Sequence, residues 1–137
     1  MLSADYVVGL ADGEGSFNAR VNPSNRRRAK VEARFSLKLR ASDKQILHQL
    51  QAFFGCGSVY IQTEKRPRHS LCYLYEIQRR ADLWEIVIPF FERNPPHLQS
   101  KQKDFMLFKR IVGLVKEQAD KTENGMDEIA TLIKEMH

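Results

Sequence analysis

The sequence predicts an α+β domain over residues 1–137, with an antiparallel sheet, helices packed on one of its faces, and the element order αββαββαα. Three observations carry that reading. Residues 30–40 alternate strictly, with Val31, Ala33, Phe35, Leu37 and Leu39 on one side and Lys30, Glu32, Arg34, Ser36, Lys38 and Arg40 on the other. Two such hairpins occur, each with a basic tip and each followed by a stretch of helical periodicity. The helical stretches carry one apolar stripe apiece, as surface helices lying on a core do.

The elements follow in order. Ser3 is placed to cap a helix running to about Gly13, with Asp5 in its first turn. Gly15 to Val21 alternates, setting Phe17, Ala19 and Val21 against Ser16, Asn18 and Arg20. Asn22-Pro-Ser-Asn25 is turn chemistry leading to the tip Arg26-Arg27-Arg28, and the strand Lys30 to Arg40 returns from it. Ser42-Asp-Lys-Gln45 has the spacing of a capping box and opens a helix carrying Ile46, Leu47, Leu50, Phe53 and Phe54, which Gly55 stops. Ser58 to Glu64 and Ser70 to Gln78 form the second hairpin around Lys65, Arg66, Arg68 and His69. A short helix from Asp82 to about Phe91 and the rigid connector Glu92-Arg-Asn-Pro-Pro-His97 come next. A long helix from Ser100 to about Gln118 and a last one from Asn124 to Met136 complete the chain.

The first helix is the most informative segment. Gly9 and Gly13 lie four residues apart and so share a helical face. Each costs roughly 1 kcal/mol relative to alanine inside a helix, which points to the close approach of another backbone, most plainly a second helix of the same kind. Glu14 then falls at the helix C-terminus, where the macrodipole already places negative charge. A carboxylate there calls for a cation, and the arrangement suggests a divalent metal.

Charge is distributed unevenly. The 137 residues carry a net charge of +5, yet residues 26–40 hold seven cations against Glu32 alone, a net of +6, while residues 117–137 hold six acids against two lysines. A basic strand with an acidic tail elsewhere describes an oriented polyanion-binding face. No stretch is apolar enough for a membrane span and no signal-peptide pattern opens the chain, so the expectation is an intracellular protein, in a bacterial cytoplasm or an organelle. Cys56 and Cys72 are expected as reduced residues of the core. The scattered His48, His69, His97 and His137 make a histidine metal site unattractive.

Val7-Val-Gly-Leu-Ala-Asp-Gly-Glu-Gly15 resembles the signature of the LAGLIDADG homing endonucleases. Gly9 takes the first glycine place, Asp12 the first acid, Glu14 the second acid and Gly15 the closing glycine. The resemblance extends to Lys101-Gln-Lys-Asp104, similar to the start of a later family helix with a basic residue three places before an Asp, and to Thr122-Glu-Asn-Gly125. It implies a saddle-shaped sheet lying in the DNA major groove, and a homodimer paired through the Tyr6–Gly13 helix, with Val8, Gly9, Asp12 and Gly13 at the seam. Because one signature supplies half an active site, the target would be long and near-palindromic.

The resemblance also implies the chemistry. Glu14 is the metal-binding catalytic residue, with Mg²⁺ as the cofactor and Mn²⁺ or Ca²⁺ able to take its place. Lys101 is the catalytic cation, Lys103 its fallback if the alignment slips by two. Asp12 is read as structural, and Lys38 and Arg40 lie nearest the place of an accessory polar residue, where the match is loose. The expected reaction is hydrolysis of both strands of double-stranded DNA with a staggered break. On the exposed strand faces, Asn18, Arg20, Lys30, Arg34, Ser36, Lys38 and Arg40 are DNA contacts. Arg26, Arg27, Arg28, Lys65, Arg66 and Arg68 are tip residues suited to phosphates. Ser58, Tyr60, Gln62, Glu76 and Gln78 are weaker candidates, and Tyr73, Tyr75 and Trp84 are read as core. The alternative is a non-catalytic DNA- or RNA-binding protein on the same fold, a maturase or a regulator; an intact Glu14 with Lys101 favours the nuclease.

Overall fold

The computed structural model describes residues 1–22, 30–62 and 71–137. Helix α1 (Ala4–Glu14) leads directly into β1 (Gly15–Asn22), which pairs antiparallel with β2 (Lys30–Arg40). Helix α2 (Lys44–Phe54) is followed by β3 (Ser58–Gln62) and β4 (Cys72–Ile77). Helix α3 spans residues 80–93, α4 is Gln99–Lys116 and α5 is Glu123–Glu135. The fold class is the expected one. Written out in full, the order is αββαββααα, because the short helix before the connector counts as an element of its own.

The four strands lie in the order β1-β2-β4-β3. The two hairpins meet along β2 and β4, which pair with Phe35 opposite Ile77 and Arg40 opposite Cys72. Phe17, Phe35, Leu37, Tyr75 and Ile77 turn to one face, where all are at most 1% exposed. There Phe17 meets Phe35, Phe91, Phe105 and Phe108 at ring-centroid distances of 5.2–5.3 Å, so one aromatic cluster joins the sheet to α3 and α4. Val7, Val8 and Ala11 from α1, and Leu47, Leu50 and Phe54 from α2, complete the core. With every helix on that side, the described part of the other face carries mainly polar side chains, with Leu74 and Cys72 of β4 among them.

The caps agree with the sequence at Ser3 and Gly55 and differ at Ser42. Ser3 Oγ accepts from the Tyr6 N–H at 3.2 Å, as expected. Gly55 ends α2 in the left-handed region at φ 73°, a conformation cheap only for glycine. Thr122 Oγ1 accepts from the Gly125 N–H at 3.0 Å and starts α5. The expected capping box at Ser42 does not form. Ala41–Asp43 tightens into a 3-10 turn, and the Lys44 N–H bonds back to the Ala41 carbonyl, so no side-chain cap serves α2.

Helix α3 also departs from simple periodicity. Leu83–Val87 is π-helical, with the Ile88 N–H reaching back to Leu83, and the α-helix resumes at Ile88–Arg93 with Pro89 in its first turn. A proline has no N–H to offer the preceding turn, and the π turn lies directly before it. Among the described residues, no helix is long and apolar enough to cross a membrane, and Cys56 and Cys72 form no disulfide with each other.

Candidate active site and DNA-binding face

The site is built where α1 becomes β1. An added Cβ at Gly15 would lie 2.7 Å from the Ala11 carbonyl oxygen, so only glycine permits the chain to leave the helix at this angle. That corner projects Glu14 into solvent at the end of α1. Lys101, in the first turn of α4, directs its ammonium onto the carbonyl of Gly15, the residue next to Glu14. Lys101 is thereby brought to the residue that follows Glu14, 86 positions away in the sequence, while Lys103 is exposed on another side of the same turn. The β1–β2 register pairs Gly15 with Leu37, so Lys38 is the first exposed β2 residue past the start of β1, with Arg40 two positions farther.

Asp12 does something the sequence did not disclose. Its carboxylate accepts from the His97 N–H at 3.0 Å to each oxygen and from the Leu98 N–H at 3.3 Å. These are amides at the entrance of α4, where the helix leaves donors unsatisfied and favours negative charge. Asp12 therefore anchors the connector at the start of α4 and holds the turn that carries Lys101. Replacing Asp12 with Ala is expected to cost about 1–2 kcal/mol, the range of a lost N-cap, read as a lower urea midpoint. An unchanged midpoint would show the clasp to be dispensable.

Along α1 the glycine face is open. Neither Gly9 nor Gly13 has any atom within 4 Å of where a Cβ would stand, and Tyr6 beside them is 47% exposed. Val8 does not share this face: at 4% exposure it belongs to the core, because its position on the helix turns it toward the sheet together with Ala11. Asp12 is likewise committed to the connector within its own chain.

The exposed sheet face holds the strand residues singled out from the sequence. Arg20, Lys30, Arg34, Lys38 and Arg40 are exposed and Asn18 is half-buried. Ser36 is not a projecting contact. It is 9% exposed and forms the floor of the face, in a row that runs Ser16, Ser36, Glu76, Ser58 across the four strands. Two arginines are engaged by carboxylates of the same face. Arg20 binds Glu32 through Nε at 2.9 Å and Nη2 at 2.8 Å, and Asn22 donates to the other Glu32 oxygen at 3.0 Å. Hydrogen bonds from Asn22 and then Arg20 hold the Glu32 carboxyl below the usual carboxylate range. Arg34 binds Glu76. The tip residues Arg26, Arg27, Arg28, Lys65, Arg66 and Arg68 lie outside the described residues.

Glu14 suits a hard divalent cation in donor chemistry, offering carboxylate oxygen in the open. Among the described residues, no three His, Cys, Asp or Glu side chains gather into a metal cage.

A sequence model of the LAGLIDADG endonuclease matches residues 7–112, spanning both the α1 corner and the Lys101 turn. The chain belongs to the LAGLIDADG endonuclease family. Among its curated relatives, "Probable intron-encoded endonuclease 3" of Neurospora crassa is 33% identical over 132 residues, covering 94% of this chain and 24% of that protein. "Probable intron-encoded DNA endonuclease 1" of Mycosarcoma maydis is 31% identical over 106 residues, covering 77% and 35% respectively. The chain spans roughly a quarter to a third of the length of these LAGLIDADG relatives. Among solved structures, the homing endonuclease I-TnaI superposes with a TM-score of 0.87 at 34% identity, covering 99% of this chain and 88% of that one. I-SmaMI, bound to an uncleaved DNA target in the presence of calcium ions, gives 0.90 at 29% identity, covering 100% of this chain and 45% of that one.

Proposed function

We propose that this LAGLIDADG chain is one half of a divalent-metal-dependent DNA endonuclease that cleaves both strands of a long, near-palindromic site inside the cell and leaves a staggered break. The observation that carries the reading is the bond from Lys101 to the Gly15 carbonyl, next to Glu14, at the end of a helix whose glycine face is open. Pairing two such helices brings two Glu14 carboxylates together at the base of two basic sheets. I-TnaI, matched over 88% of its length, is a unit of this size, and I-SmaMI is about twice the matched portion. Both lengths are compatible with an active site made from two copies of this fold.

In the paired state each Glu14 would hold Mg²⁺, with phosphate oxygens completing the shell. The bound cation supplies Lewis acidity and a nucleophilic water at neutral pH. Lys101 contributes its own charge. An ammonium carries three N–H donors, so its bond to the Gly15 carbonyl leaves capacity for a phosphate oxygen. Held there, it stabilises the charge that develops as the phosphodiester opens. Asp12 keeps Lys101 in position through the α4 amides. The sheet supplies orientation: Lys30, Lys38 and Arg40 attract the phosphates, and Asn18, Arg20 and Arg34 face the base edges.

Cleavage of a randomised duplex library by the full chain, with Mg²⁺ and with EDTA, tests the reading. The expected product is a population of duplexes cut on both strands in Mg²⁺ only, sharing one site with two-fold symmetry. Binding without cutting in Mg²⁺ and Mn²⁺ would instead favour the non-catalytic binder.

A further inference from the structure

Glu76 stands beside Arg34 on the exposed face of the sheet, and it is more deeply buried than Glu32, the other acid of the described strands there. Its side chain is 4% exposed, although it points away from the core. Serines flank it on both sides in its own row, Ser36 on β2 and Ser58 on β3, and serines are too short to cover it. The cover comes from the two diagonal neighbours. Arg34, two residues before Ser36, donates from Nη1 to Glu76 Oε2 at 2.8 Å, and Tyr60, two residues after Ser58, donates its hydroxyl to the same oxygen at 3.0 Å. Diagonal pairs lie within reach of long and aromatic side chains, so three strands converge on one carboxylate oxygen.

Two consequences follow from simple electrostatics. Arginine loses rotamer entropy when it is ordered, and a side chain already held costs less to order on binding. Arg34 is 45% exposed over its side chain while one of its nitrogens is fixed, so its remaining N–H groups are presented to solvent from an anchored plane. The second consequence concerns charge. The Arg34–Glu76 pair is neutral as a unit and has little to offer a phosphate. Guanine presents neutral acceptors, O6 and N7, in the major groove, and a guanidinium needs no net charge to donate to them. Asn18 sits directly across from Arg34 on β1, and together with Arg20, Glu32 and Gln78 they line one shallow recess on this face.

We propose that Glu76, braced by Tyr60, is a positioning residue that converts Arg34 from a phosphate clamp into a reader of one guanine in each half-site. The proposal rests on the DNA-cleaving function above and adds a division of labour. Arginines neutralised on the sheet read bases, and cations without such an acid, Lys38 foremost, hold the backbone.

The experiment is a binding titration of the full chain against the duplex selected from the randomised library and all its single-base variants, at two salt concentrations. The unmutated protein is expected to favour guanine at one position per half-site by roughly 5- to 150-fold, the range of a good bidentate contact. Arg34→Ala is expected to lose that preference with the salt slope unchanged. Glu76→Gln is expected to lose most of it while the slope steepens by about 0.9 per half-site, as the released guanidinium finds a phosphate. Loss of the charge alone would steepen the slope at every sequence and leave the guanine preference in place, so the loss of preference is the readout that separates positioning from bare charge. Tyr60→Phe, which changes no charge, is expected to weaken the preference alone.

Retention of the guanine preference by Glu76→Gln, whatever the slope, would overturn the proposal and leave the nuclease reading intact. Equal weakening at every sequence by Arg34→Ala would do the same. If Glu76→Gln fails to fold by circular dichroism, unchanged preference in Tyr60→Phe overturns it. Failure of the unmutated protein to bind any duplex would remove the proposed function and this inference with it.

Discussion

Glu14→Gln is expected to abolish double-strand cleavage, lowering the rate by at least about a thousandfold, while the Kd for duplex DNA stays the same or tightens slightly. Glutamine keeps the size of the side chain and one oxygen but removes the charge that makes it a ligand for a hard cation. A loss of several kcal/mol of transition-state stabilisation corresponds to that factor. Binding is spared because Glu14 leaves the base of α1 and makes no contact within the reading face. Removing two carboxylates from beside the phosphates also relieves repulsion, so the sign of any change in affinity is toward tighter binding. Cleavage by the variant at the normal rate, followed on gels in Mg²⁺, would mean that Glu14 is only an exposed helix-end acid.

The second large effect is expected at Gly9. Within one chain nothing requires a glycine there or at Gly13, since a Cβ at either position meets open space. Gly9→Ala is therefore expected to stabilise the isolated fold by up to about 1 kcal/mol. Gly9→Leu should leave the fold intact and still destroy cleavage, because its side chain fills the space that a second α1 would occupy. Sedimentation should then show a monomer where the unmutated protein is a dimer. These opposite effects on folding and on activity are the signature of a residue chosen for a partner. A fully active Gly9→Leu variant would move the seam elsewhere and with it the symmetric arrangement of the two Glu14 residues.

Much of this was legible in the sequence because it depends on periodicity. The alternation through Val31 to Leu39 identified both faces of β2, and Gly55 marked the end of α2 by the one conformation that glycine makes cheap. The glycine spacing and Glu14 at a helix end singled out the α1 corner before any geometry was known. What the pattern did not give was depth and partner. Ser36 alternates outward yet lies on the floor, because longer side chains stand around it. Glu76 looked like a possible contact and is buried, since its cover is diagonal and comes from two other strands. Val8 reads as one more apolar residue of α1, and only the packing assigns it to the core rather than the open face. Asp12 finds its partners 85 and 86 residues away, a pairing no local spacing encodes. The capping box at Ser42 lost to a backbone 3-10 turn, a competition between two ways of satisfying the same donors.

Incubation of the full chain with supercoiled plasmid carrying the selected site, in Mg²⁺, tests cleavage by a symmetric pair of chains. Linear product with two-fold-symmetric staggered ends is expected, with two chains bound per site and no linear product when EDTA replaces the metal. Plasmid that remains supercoiled in Mg²⁺ while the protein is bound at the site would contradict that expectation.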